Sequence, residues 1–295
     1  MTVITFQNMA VEVKVFLPIL SVIWQNDKQL TPVAGPTRCN GRMPVPLQQE
    51  TTGMSPMMYD RLSRMYDALW GDFTSHYVAL IEHLIYKHGL TYARIADLAC
   101  GTGSLVRDLG MKGHIVHGVD IAPSMIKIAR KKTRQFRNVT LRRENMIEFT
   151  YRHRFDIISC TFDSINYLAG EKELQAFIKR VSGALKTGGS FVFDLNTEHM
   201  YATYQDNVVT HNVNGESFIQ RLSYNPRSQI ATAMFEFPDG TIEVHQQRPY
   251  DARTIKRILA RNRMRVVKTY ADFSGSPFRP DSHRLICIAE KKIVG

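Results

Sequence analysis

Cysteine is scarce. Only Cys39, Cys100, Cys160 and Cys287 occur, with no CxxC pair and no histidine at ligand spacing beside them. That excludes a disulfide framework and a zinc ribbon, and makes a reducing, cytoplasmic location the expectation. No apolar run reaches the roughly 18 residues that suggest a membrane-spanning helix. The ten histidines show no HExxH or comparable spacing, so no metal is expected. There is no internal repeat, no low-complexity tract and no phosphate-cradling GK[ST] loop.

What remains is an ordinary globular composition, 44% hydrophobic and 22% charged, long enough to build a core without staples. Lysine and arginine outnumber aspartate and glutamate by 38 to 27, a formal charge of +11. The excess is spread over short clusters (Arg130–Lys132, Arg142–Arg143, Arg152–Arg154, Arg261–Arg265). A solvated basic surface is therefore favoured over a nucleic-acid partner, though the charge keeps that partner in view.

Residues 1–53 read as an extension. Val11–Trp24 is apolar but interrupted by Glu12, Lys14 and Pro18, and it lacks the flanks of a signal peptide. Residues 31–53 hold four prolines and three glycines, a linker composition for which poor order is expected. From Met54 on, the pattern becomes regular. Helices are predicted over Tyr59–Trp70, Tyr77–His88, Ser104–Leu109, Pro123–Thr133 and Glu171–Leu185. Strands are predicted over Ala93–Ala99, His114–Val119, Val139–Arg142, Phe155–Cys160 and Ser190–Leu195, with Lys186–Gly189 as a turn. Strands alternating with helices argue for a mostly parallel sheet covered on both faces. After Thr197 three strand-like segments follow, Phe218–Tyr224, Ile230–Phe237 and Thr241–Arg248. Asp239-Gly240 between two of them is a hairpin signal. A helix over Ala252–Arg261 and strands over Arg265–Ala271 and Arg284–Glu290 then close the sheet at seven strands. The expected organisation is an extension (1–53), a core (54–197), an antiparallel β insertion covering the substrate (198–250), and a C-terminal part completing the core sheet (251–295).

The central motif is Asp97-Leu-Ala-Cys-Gly101-Thr-Gly103, where a strand ends and glycines turn the chain tightly into a helix. It departs from the dinucleotide fingerprint GxGxxG, because Val106 stands where the third glycine belongs. Asp120 lies 23 residues after Asp97, at the end of the next strand, where an acid can accept ribose hydroxyls. A nucleoside with a charged tail and no phosphates suits this loop better than a nicotinamide dinucleotide does.

At these residues the sequence resembles the class I S-adenosylmethionine-dependent methyltransferases, from about Tyr59 to Lys292. Stations match in order: Tyr66-Asp67, DLACGTG (97–103), VDIAPSMI (119–126), ENM (144–146), FDIISCTFDSINYL (155–168) and LKTGGSFVFDLN (185–196). The similarity is greatest to a small-molecule branch with a β insertion after the fifth strand, whose H-x-x-R-x-Y element here reads His245 to Tyr250. The resemblance implies a Rossmann-like α/β fold, S-adenosylmethionine as cofactor, and roles for individual residues. Asp97 would anchor the glycine loop near the cofactor's amino-acid portion, which lies along Ala99, Gly101 and Gly103. Asp120 would hold the ribose and Ile121 pack on adenine. Asn145, standing where relatives carry Asp, and Met146 would contact the adenine edge and face. Thr161 and Phe162 would border the methyl group, with Tyr59 and Tyr66 as a lid.

For the acceptor, His245 is the first candidate base or orienter, since histidine titrates near neutrality. Tyr66 and Asn166 complete the candidate catalytic set. Asp163, Asn166, Asn196, His245, Arg248 and Tyr250 form the candidate substrate-binding set, each with a purely structural alternative. The expected function is methyl transfer to a small-molecule acceptor, an amine before a hydroxyl. The competing readings are an RNA methyltransferase using the basic surface, and a non-catalytic scaffold that keeps the fold. The RNA reading is weakened by TFDSIN, which stands where amino methyltransferases of nucleic acid and protein carry an Asn-Pro-Pro-aromatic motif. Oligomeric state is not legible.

Overall fold

The computed structural model describes residues 58–293. The proposed extension, Cys39 and Met54 lie outside them. A seven-stranded sheet is ordered β10-β11-β5-β4-β1-β2-β3. Its strands are β1 (Arg94–Leu98), β2 (Ile115–Asp120), β3 (Val139–Arg143), β4 (Phe155–Cys160), β5 (Leu185–Asn196), β10 (Met264–Tyr270) and β11 (Arg284–Lys291). β1 to β5 pair in parallel, while β11 runs antiparallel to both neighbours. Strand order reverses between β1 and β4, which opens a crevice at their carboxyl ends.

Helices cover both faces, as buried strands require. Alternation along β1 divides the core. Ala96 and Leu98 face one cluster with Phe177 and Val181 of α5 (Glu171–Ala184) and with Ile255 and Leu259 of α7 (Ala252–Arg261). Ile95 faces the other, with Ile81 and Ile85 of α2 (Thr74–Lys87), Val106 and Leu109 of α3 (Ser104–Met111), and Ile126 of α4 (Pro123–Thr133). Helix starts follow local chemistry. Pro123 opens α4 at a position needing no N–H, and Asp251 caps α7 by accepting from the Thr254 amide at 2.8 Å.

A second, four-stranded antiparallel meander comprises β6 (Val208–Val213), β7 (Glu216–Asn225), β8 (Ile230–Glu236) and β9 (Ile242–Gln247). It packs on the N-terminal segment: Val213, Phe218, Phe235 and Phe237 share one cluster with Leu62, Met65 and Trp70. β6 was not expected, although Asn214-Gly215, with φ of 53° and 82°, is a two-residue hairpin turn. A short helix α6 (Glu198–Thr203), capped by Thr197, precedes it and was also missed.

Two expectations are corrected. Tyr59–Trp70 is not one helix. It is a 3-10 turn, Leu62–Arg64, then α1 (Tyr66–Trp70) and a further 3-10 turn, Gly71–Phe73, because the segment bends around the meander rather than lying on the sheet. Lys186–Gly189 is an irregularity inside β5 rather than a turn before it: Leu185 pairs with Phe155, Ser190 pairs with Ile157, and the residues between are squeezed out of the ladder. No helix among the described residues is long and apolar enough to cross a membrane.

Candidate active site

The crevice floor is built from backbone. Gly101 and Gly103 have φ of 53° and 76°, and Ala99 is left-handed at 59°. The two glycines serve different ends. A Cβ on Gly103 would lie 2.7 Å from the Ala129 Cβ, so this glycine lets α3 approach α4. A Cβ on Gly101 would meet nothing within 4 Å, because the space beyond it belongs to the pocket. That pocket is lined by Asp97, Ala99, Gly101, Thr102, Thr161 and Phe162 on the sheet side, and by Tyr66, Trp70 and Thr74 above. A cradle of exposed backbone with a buried acid at its base fits a cationic amino-acid tail.

The acids divide their work differently from the expectation. Asp120, not Asp97, anchors the loop: its two carboxylate oxygens accept the amides of Gly101 and Ala122, each at 2.8 Å. Free lone pairs on the same oxygens are left for hydroxyl donors. Asp97 instead accepts from the Ser159 hydroxyl at 2.8 Å. Burial raises the Asp97 carboxyl to about 7, against the Ser159 hydrogen bond, with the Asp120 charge adding to the rise. Burial likewise raises Asp120 to about 6, against its backbone hydrogen bonds. From above, Asp67 clamps α1 onto the loop through Thr102 Oγ1 at 2.6 Å, Ser104 Oγ at 3.0 Å and Lys132 Nζ at 2.5 Å. Ile121 and Met146 are half-buried beyond Asp120. The Asn145 carbonyl oxygen accepts from the Ile147 amide at 3.2 Å, so one of its lone pairs is already committed to a local turn.

A second pocket adjoins the first and shares the wall of Tyr66, Trp70 and Phe162. Its other lining residues are Tyr59, Leu62, Asp163, Tyr167, Phe235 and His245. Backbone strain concentrates here. Tyr59, Phe162 and Asp163 join Ala99 in the left-handed region, four of the nine non-glycine residues found there among those described. Tyr59 donates to or accepts from Tyr167 at 2.7 Å, and Tyr167 contacts His245 Nδ1 at 3.0 Å. Asp163 is held by Gln247 Nε2 at 2.6 Å and by the buried Arg284 at 3.2 Å, and Arg284 also pairs with Asp194.

The structure thus brings Tyr59, Tyr66, Phe162, Asp163 and His245 together, and separates others from them. Asn166 is spent on backbone. It donates to the carbonyls of Asn196 (3.0 Å) and Arg248 (2.8 Å) and accepts the Asn196 amide (2.8 Å), so it is a joint, not an acceptor contact. Tyr250 lies in the core, its hydroxyl on the Leu168 carbonyl at 2.5 Å, and Arg248 Nε bonds the Ala169 carbonyl at 2.9 Å. Neither lines a pocket described above. Asn196 is fully buried at the same joint.

Reading from sequence missed Tyr167, Arg284, Trp70, Glu243 and Gln247. For the last two a signal existed. In Ile-Glu-Val-His-Gln-Gln, positions 243, 245 and 247 share one face of β9, and all three are buried, whereas Ile242 and Val244 are exposed. The strand has its polarity reversed, and burying three polar side chains is costly unless they are partnered.

Residues 95–189 match the family described as a methyltransferase domain. A protein of Geobacillus sp. (strain WCH70) that carries a provisional methyltransferase name is 28% identical over 80% of this chain and its own full length. The dTDP-3-amino-3,6-dideoxy-alpha-D-glucopyranose N,N-dimethyltransferase of Streptomyces fradiae is 32% identical over 38% of this chain and 42% of its own length. Among solved structures, an S-adenosylmethionine-dependent methyltransferase from Clostridium acetobutylicum ATCC 824 superposes with a TM-score of 0.69 at 22% identity, over 80% of this chain and 99% of its own.

Proposed function

We propose that this chain, which resembles the S-adenosylmethionine-dependent methyltransferases in sequence and fold, methylates the amino group of a small molecule. One observation carries the reading. The second pocket meets the cofactor pocket across Tyr66, Trp70 and Phe162, so a group seated in it faces the methyl through an aromatic frame. Neither lining includes a lysine or arginine among the described residues, which suits an uncharged or cationic acceptor better than a polyanion. An exposed basic cluster does exist, at Arg94, Arg152, Arg154 and Lys186, but these residues lie at the opposite ends of β1, β4 and β5. The Streptomyces fradiae relative, whose name is that of an amino-sugar N,N-dimethyltransferase, favours an amine.

Asp97, the glycine loop and Asp120 would hold S-adenosylmethionine, with Ile121, Asn145 and Met146 toward adenine and Thr161 beside the methyl. When bound, the cofactor would supply an activated methyl group on a sulfonium, a good leaving group for in-line attack by the acceptor's lone pair. The protein's share is alignment and exclusion of water, worth up to about 7–11 kcal/mol of barrier in favourable cases. Tyr66, Trp70 and Phe162 close the frame, Asp163 and Tyr59 orient the acceptor, and His245 lines the same pocket behind Tyr167. The full chain should bind S-adenosylmethionine in calorimetry and transfer a labelled methyl to members of a panel of small amines, amino-sugar nucleotides included. Cofactor binding with transfer only to alcohols, or only to RNA, would overturn the acceptor class.

A further inference from the structure

The reversed strand β9 sets a direction on the hydrogen bonds around the acceptor pocket. Glu243 is 1% exposed and His245 2% exposed. The Glu243 Oε1 atom accepts from the backbone amides of Arg61 and Leu62. Its Oε2 atom is buried without a hydrogen-bond partner and lies 3.7 Å from His245 Nε2, itself buried and without one. A carboxylate oxygen can only accept, so the complementary arrangement is a proton on Nε2. Nδ1 is then bare and must accept, so the Tyr167 hydroxyl donates to it across 3.0 Å. With its proton committed, the Tyr167 oxygen accepts from Tyr59 across 2.7 Å. The Tyr59 oxygen is left as an acceptor in the wall of the pocket. One buried carboxylate thereby orders three successive groups.

We propose that Glu243 fixes His245 as its Nε2–H tautomer and so makes Tyr59, Tyr167 and His245 a one-way proton path out of the acceptor pocket. The proposal rests on the amine reading and adds the fate of the acceptor's proton. The methylated ammonium gives its proton to Tyr59 Oη, the Tyr59 proton passes to Tyr167 Oη, and the Tyr167 proton passes to His245 Nδ1. The path ends with neutral tyrosines and an imidazolium whose Nε2–H faces Glu243. The product leaves as a neutral amine, and the histidine returns its proton to solvent when the site opens. Burial pushes both tyrosine hydroxyls well above 10, which keeps them protonated as the relay needs. Glu243 is a positioning residue, acting through His245 as the acid behind a catalytic histidine does elsewhere.

The test needs no acceptor. In the full chain labelled with 15N-histidine and saturated with S-adenosylhomocysteine, His245 is identified by the signals missing from His245→Gln. Two-bond proton–nitrogen correlations should show a proton on Nε2 and a bare Nδ1. Glu243→Gln keeps an oxygen for Arg61 and Leu62 but presents an amide N–H to Nε2, and should move the proton to Nδ1. Tyr167→Phe should leave the tautomer and shift the Nδ1 resonance; should the glutamine variant not fold, this variant and the wild type decide. With the amine acceptor, both variants should lose about 10²-fold in kcat, the low end for acid–base catalysis, with KM within about threefold. A wild-type Nδ1–H tautomer, or no change of tautomer in Glu243→Gln, overturns the path even if amine transfer is confirmed. Conversely, failure of amine transfer with the tautomers as stated overturns the acceptor class and the ammonium as the source of the proton, and leaves standing only the ordering of His245, Tyr167 and Tyr59 by Glu243.

Discussion

The two halves of the site differ in how they are built. The floor, the half proposed for the cofactor, consists of strand ends and a glycine loop whose amides find partners over short stretches of chain: Gly103 N–H on the Cys100 carbonyl, Cys100 N–H on the Val119 carbonyl, and the Gly101 and Ala122 amides on the Asp120 carboxylate. The roof, the half proposed for the acceptor, consists of side chains that meet from distant segments. Tyr59 reaches Tyr167 across 108 positions, Tyr167 reaches His245 across 78, and Arg284 reaches Asp163 across 121. A floor of backbone can hold the same cofactor under many roofs, because the groups it offers depend little on side-chain identity. A roof of converging side chains can be rebuilt for another acceptor without disturbing the fold.

The largest effect is expected where the halves are pinned together. Arg284→Ala would leave Asp163 and Asp194 buried without their cation, and should cost about 3–5 kcal/mol in denaturant unfolding. A loss under 1 kcal/mol would mean that floor and roof are held by packing alone. Next comes the floor's anchor. Asp120→Ala removes the partner of two amides as well as the ribose acceptor, and should weaken S-adenosylmethionine binding by about 10²-fold, since hydrogen bonds to a charged group contribute about 1.5–3 kcal/mol each. Unaltered affinity in calorimetry would remove Asp120 from the cofactor site.

The two glycines should separate stability from binding. Gly103→Ala drives a methyl into Ala129 at a left-handed position and should destabilise the fold by about 2–4 kcal/mol. Gly101→Ala meets no protein atom and should cost only about 1 kcal/mol in stability, while raising the cofactor Kd at least tenfold. Equal losses of stability in thermal unfolding would contradict the division of roles.

The comparison can also be sharpened by a pH dependence that opposes itself. Asp97 and Asp120 hold their protons more tightly in the folded chain, at about 7 and about 6 against 3.8 for an ordinary aspartate. The native state therefore carries more protons between about pH 4 and 7, and apo-protein stability should fall as pH rises through that window. Binding of a cationic cofactor needs the ionised acids, so affinity should change the other way, weakening as pH drops below about 7. Asp97→Asn should flatten the upper part of both curves.

How much was legible follows the same division. The order of elements from Arg94 to Asn196, the switch point and the glycine loop could be read, because each motif combines a strand, a turn and a helix start within a few positions. What misled was treating position as role. Asn166 and Tyr250 stand in the right motifs but bond backbone carbonyls, and Arg248 places its Nε on the Ala169 carbonyl outside the pockets described. Asp97 stands in the loop motif but bonds Ser159. Glu243 stood two residues from a residue already singled out, and its burial was decided by the meander folding over α1.

The sequence by itself determined a Rossmann-like α/β core with a glycine loop at its strand ends, since glycine turns, strand-end acids and hydrophobic periodicity act locally on the backbone that carries them. The tertiary structure decided the acceptor pocket. Its walls come from β9, the Ser164–Tyr167 turn and the N-terminal segment, and only their packing against one another brings a buried carboxylate, a histidine and two tyrosines into successive contact.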